Sequence, residues 1–186
     1  LHYAALYPDY VAALVLVDGG FVDLPQAHGV TWEETRKALA PPDLAGVYKE
    51  ELVDMARSRN LNLAWSPQME EVLLASFHQH QDGTVSPKLN RENHMKIVRA
   101  LWEYRTEELC LRVRCPVLVV PARQSEPRNS FMARVQEVKP ASVALLQKNI
   151  SGAEAVWMED TIHDIPLQRP SKLANSILDF LERKCP

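Results

Sequence analysis

Residues 11–20 read VAALVLVDGG: seven apolar residues, Val11 to Val17, closed by Asp18, Gly19 and Gly20. A strand with one wet face alternates apolar and polar residues, whereas a run that is apolar throughout suits a strand buried on both faces. The segment therefore predicts a strand buried on both faces. A second such run is residues 115–121, CPVLVVP, and a shorter third one spans Glu154 to Met158. Helical periodicity lies beside each, and alternating strands and helices favour a parallel sheet with helices on both faces.

Working outward, the first eight residues, LHYAALYP, read as the end of a helix without a start, and the chain opens on Leu1 instead of Met. We expect a fragment. Between the first two strands lie nearly a hundred residues with helix signals and no good strand pattern. Thr31-Trp32-Glu33-Glu34 matches a capping box, and Ser66-Pro67 and Ser86-Pro87 look like N-cap and first-turn pairs. Leu44, Val47, Tyr48, Leu52 and Met55 form an apolar stripe at helical spacing, and Ile97, Val98, Leu101 and Trp102 continue one toward Leu109. Residues 22–110 are thus expected to be a helical insertion, with Trp65, Trp102, Tyr48 and Tyr104 in its core; residues 1–21 and 111–186 form the α/β part. Further on, two short helices, Phe131 to Val138 and Ala141 to Gln147, are expected on either side of Pro140. A last helix is expected from about Pro170, with Leu173, Ala174, Ile177, Leu178 and Leu181 on one face.

Composition narrows the function classes. With 21 Lys+Arg against 24 Asp+Glu, the 186-residue chain carries a formal charge of −3, which offers no field for nucleic acid or an anionic membrane. The longest apolar run falls far short of the roughly 20 residues that cross a bilayer, and no basic-then-apolar stretch opens the chain. Cys110, Cys115 and Cys185 are odd in number and irregular in spacing, which fits reduced thiols and a cytoplasmic location better than a disulfide framework. His78-Gln79-His80-Gln81-Asp82 has part of a dinuclear zinc pattern, but Gly83 stands where a further His is required. After the helical stretch MEEVLLASF it reads as a solvated helix end. No metal is expected there.

In an open parallel sheet, ligands gather outside the carboxyl ends of the strands, where loops converge. Three loops qualify here: Asp18-Gly19-Gly20, Arg123 to Pro127, and Glu159 to Asp164, which holds His163. A carboxylate after one strand and an imidazole after another can work together, the carboxylate orienting the ring while the ring moves a proton. Asp164, beside His163, is expected to make loop hydrogen bonds instead.

On these segments the sequence resembles the α/β-hydrolase superfamily over nearly its whole length. ALYPDYVAALVLVDGG is similar to the helix after the nucleophile elbow and the next strand. RCPVLVVPARQSEP is similar to the strand and loop that usually deliver the acid, and AVWMEDTIHDIPLQRP to the last strand and the histidine loop. The resemblance implies the C-terminal part of a parallel-sheet α/β-hydrolase fold, with residues 22–110 as an inserted helical cap. It also implies His163 as base and Glu126 as its orienting acid, with Asp18 the second choice; Ser125 stands where many relatives place Asp. No G-x-S-x-G occurs, so the nucleophile is expected upstream of Leu1.

The expected activity is hydrolysis of a small, largely apolar substrate through a covalent intermediate. No cofactor is implied, the partner being a small molecule with no nucleic acid or membrane involved. The competing expectation is a truncated, inactive, hydrolase-like binding module. A nucleotide-binding α/β domain is disfavoured because no Gly-rich phosphate loop follows a strand.

Overall fold

A computed structural model describes residues 1–59, 65–127 and 129–185. The described chain divides into two compact units, one of residues 1–38 and 99–186 and the other of residues 39–98. The inserted unit is therefore narrower than the expected 22–110.

In the first unit, helix α1 (His2–Leu6) leads through a 3-10 turn at Pro8–Tyr10 to strand β1 (Leu14–Val17). Helix α2 (Trp32–Ala38) precedes the inserted unit. Within that unit, helices α3 (Lys49–Arg59) and α4 (Pro67–Leu74) precede an antiparallel hairpin, β2 (Phe77–Gln79) with β3 (Val85–Pro87). Helix α5 (Arg91–Glu103) and helix α6 (Thr106–Cys110) lead back to strands β4 (Val117–Val120) and β5 (Ala122–Arg123). The long helix α7 (Ser130–Asn149), short strands β6 (Glu154–Ala155) and β7 (Met158–Glu159), and helices α8 (Ile165–Gln168) and α9 (Pro170–Lys184) complete the order. No described helix is long and apolar enough to cross a membrane.

Strand β4 lies at the centre, parallel to β1 on one side and to β6 on the other. Beyond Pro121, β5 pairs in parallel with β7. All four residues of β4 are buried, as a strand covered on both faces must be. Its side chains alternate between two apolar clusters. Val117 and Val119 join Leu16, Val143, Leu146 and Phe21, while Leu118 and Val120 join Ile165, Leu173 and Phe180. Burying each such side chain contributes about 1.5–3 kcal/mol, so this one strand anchors both helical layers.

Four local expectations are corrected. The third apolar run is not one strand but two short pieces, β6 and β7. Pro140 does not divide α7: the helix runs on, because residues on both sides of it, Phe131 and Lys139 before and Val143 and Leu146 after, are buried. Pro140 costs the helix one backbone donor and crowds the carbonyl four residues back, and the packing on both sides outweighs that loss. His78 and Gln79 belong to β2 and not to a helix end, and Ser86-Pro87 lies in β3, so the insertion is not all-helical. On α9, Phe180 is buried beside Leu173, whereas Leu178 is exposed.

Of the expected cap aromatics, Trp65 packs in the inserted unit's own cluster with Leu52, Val53, Leu74 and Val85, while Tyr48 is half exposed. Trp102 and Tyr104 belong to the first unit: Trp102 lies against Trp32, and the Tyr104 hydroxyl donates to the Gly20 carbonyl at 2.9 Å. Ser66 caps α4 by accepting from the Met69 amide, and Thr31 accepts from the Glu34 amide at the start of α2. The Glu34 carboxylate does not close the capping box; it pairs with Arg134 of α7.

Candidate active site

Asp18 follows β1 directly. Its own amide still donates to Val120 of β4 at 2.9 Å, yet its φ is +44°, so the chain turns sharply while it remains tied to the sheet. Asp is among the few residues that tolerate this left-handed backbone. Two residues on, Gly20 has a φ of +75°, and a Cβ there would stand 3.4 Å from the Leu16 side chain. The turn thus sets the carboxylate at the end of the sheet with 8% of the residue exposed.

Both carboxylate oxygens are used. Oδ1 accepts from the Ala122 amide at 2.8 Å and from Lys139 Nζ at 2.7 Å. Oδ2 faces His163 Nδ1 at 2.9 Å. An ionised carboxylate only accepts, so Nδ1 carries the hydrogen and Nε2 keeps its lone pair when the ring is neutral. The bond to Asp18 raises the imidazole above its ordinary value; burial opposes this, nearby Asp164 adds to it and Lys139 subtracts from it. The ring's outer part is open to solvent, the His163 side chain being 72% exposed.

The loop that presents His163 is held by its backbone. Thr161 is buried; its amide donates to Arg123 beyond β4, and its hydroxyl to the Glu159 carbonyl. The Gln168 side chain accepts from the Ile162 amide at 2.7 Å, and the Ile165 amide donates to the His163 carbonyl. Asp164 opens α8 through its carbonyl, which accepts from Leu167 and Gln168.

The partner of the imidazole is therefore Asp18 and not Glu126. Glu126 lies in an exposed stretch three residues beyond β5, and Ser125 beside it is exposed too. The physical reason is the path after β4: the chain continues into β5, which pairs with β7, and the acidic residue follows only after that pairing ends. Asp18 instead sits at the first residue after its strand. Lys139 was not singled out in the sequence; its signal is a lysine flanked by Val138 and Pro140, with Val135 and Val143 four residues away on either side. Among the described residues, no group of three or more His, Cys, Asp or Glu comes together as a metal site.

The fold has many counterparts among solved structures. An E-2-(acetamidomethylene)succinate hydrolase superposes with a TM-score of 0.64 at 17% identity, over 96% of this chain and 60% of that one. The fold is that of the α/β-hydrolases. A peroxisomal α/β-hydrolase of Saccharomyces cerevisiae (TM-score 0.61, 13% identity, 97% of this chain and 49% of that one) shares it. So does an M. tuberculosis esterase (TM-score 0.60, 16% identity, 96% and 57%). The chain spans about 60% of the length of such α/β-hydrolase structures. No protein-family model and no curated protein matches the sequence.

Proposed function

We propose that this chain carries the acid and base, Asp18 and His163, of an α/β-hydrolase that acts on a small, largely apolar substrate through a covalent intermediate. The nucleophile would come from chain preceding Leu1. The observation that carries this reading is the 2.9 Å contact of His163 Nδ1 with the buried Asp18, which leaves Nε2 as the proton acceptor. In that role Nε2 takes the proton of the attacking hydroxyl or water, and Asp18 stabilises the imidazolium until the proton passes to the leaving group. Which bond is broken depends on the nucleophile, since a serine and an aspartate give different intermediates.

The test is turnover of activated esters and epoxides by the protein extended upstream of Leu1. His163→Gln is expected to lower kcat by about 10²–10⁴-fold with KM little changed. Unchanged turnover would remove His163 from the mechanism. A folded, extended protein that hydrolyses neither class would favour the binding-module reading.

A further inference from the structure

Lys139 is 4% exposed, halfway along α7, and nothing in a proton relay of Asp18 and His163 requires a buried cation. Its three N–H donors are all placed. One meets Asp18 Oδ1 at 2.7 Å, another the Ala122 carbonyl at 2.9 Å. The third meets the Gln136 side chain at 3.1 Å when that amide is oriented to donate to the same Ala122 carbonyl at 3.3 Å. An ammonium has no acceptor capacity, so this is a fully satisfied charge and not a lysine trapped by packing.

We propose that Lys139 is a positioning residue that balances the charge of Asp18, so that His163 can stand beside a buried carboxylate as a neutral, proton-accepting imidazole. The inference deepens the acid–base reading above and rests on it. A carboxylate this buried needs a counter-charge. Were His163 its only charged partner, Asp18 would hold the imidazolium more tightly, and the ring would give up its proton only at a higher pH. With Lys139 on Oδ1, the pair Asp18–Lys139 is neutral overall and Oδ2 remains oriented toward Nδ1. The charged groups acting on the ring are then Asp18 from the end of β1, Lys139 from α7, and Asp164 from its own loop.

The prediction has a definite sign. Replacing Lys139 by Met raises the pH at which the His163 ring gives up its proton. The experiment is NMR titration of the His163 ring in the 186-residue chain, its signal assigned by loss in His163→Gln. The midpoint is expected to rise by about one unit or more in Lys139→Met, and the acidic limb of the turnover profile of an active, extended protein should move with it. A purely structural lysine would lower stability and leave both unchanged, so a midpoint within about 0.3 unit of the unsubstituted protein in folded Lys139→Met overturns the proposal.

Where Lys139→Met does not fold, Asp18→Asn and the doubly neutral Asp18→Asn/Lys139→Met are compared. The lone cation in the former should hold the midpoint below that of the latter, and equal midpoints overturn the proposal. Failure is separable from that of the hydrolase reading. A titration that moves as expected in a protein with no turnover refutes the function but not the charge balance; turnover that depends on His163 with an immobile midpoint does the reverse.

Discussion

The turn after β1 and the loop after β5 each supply an acidic residue beyond a parallel strand, yet only one of the two is built into the protein. Asp18 is buried, accepts from a backbone amide and an ammonium, and meets the imidazole. Glu126 is exposed. The difference teaches that sitting near the end of a strand does not make a carboxylate an orienting acid. Asp18 differs in having a partner for each oxygen, Oδ1 held by donors from β5 and α7 and Oδ2 facing His163.

The largest test of that contrast is stability. Asp18→Ala leaves the Lys139 ammonium buried without its counter-charge, and loss of one partner from a buried ion pair costs about 3–5 kcal/mol. Glu126→Ala should stay within about 0.5 kcal/mol, as exposed substitutions do. Urea unfolding of the two variants measures both, and comparable losses would mean that Glu126 has partners as demanding as those of Asp18.

Next is the imidazole itself. Asp18→Asn is the gentler change, because Asn also tolerates the positive φ at this position. It removes the leading cause of the raised His163 value while the Lys139 cation stays, so the ring's midpoint should fall by about one unit or more, to below the ordinary 6.5. Glu126→Gln should leave it in place. If instead Glu126→Gln moves the midpoint and Asp18→Asn does not, the acid is the exposed residue after all.

The parallel sheet and the loop that presents His163 were legible in the sequence because both are local signals. A doubly buried strand must be apolar throughout, so CPVLVVP declares itself; VAALVLVDGG carries the same pattern, yet among the described residues β1 lies at the edge of its sheet with Leu16 alone of its four residues buried. His163 stands in a strand–loop–helix context. Elements that depend on distant packing were not. The hairpin of β2 and β3 carries a turn signal at Asp82-Gly83, but its exposed His78 and Gln79 give no apolar alternation. Pro140 reads as a helix break, and only the sheet beneath α7 shows why the helix continues. The partner of the imidazole was ambiguous for the same reason: what separates Asp18 from Glu126 is a set of distant partners, among them Lys139, 121 residues away in sequence.

The smallest effect sharpens the comparison through pH. His163 has a raised value in the folded protein, so folding binds its proton more tightly than the unfolded chain does. The stabilisation is therefore fully present below the unfolded value, about 6.5, and is lost as pH rises through the higher folded midpoint. Subtracting the unfolding free energy of His163→Gln from that of the unsubstituted protein across this window should give a difference that declines with rising pH. The exposed ring keeps that difference below about 1 kcal/mol. In the Asp18→Asn background the decline should vanish or change sign, because the ring's folded value then lies at or below the unfolded one. In the Glu126→Gln background it should keep its full size. A slope that survives Asp18→Asn would show that the imidazolium is stabilised mainly by some other carboxylate, with Asp164 the nearest in sequence to try.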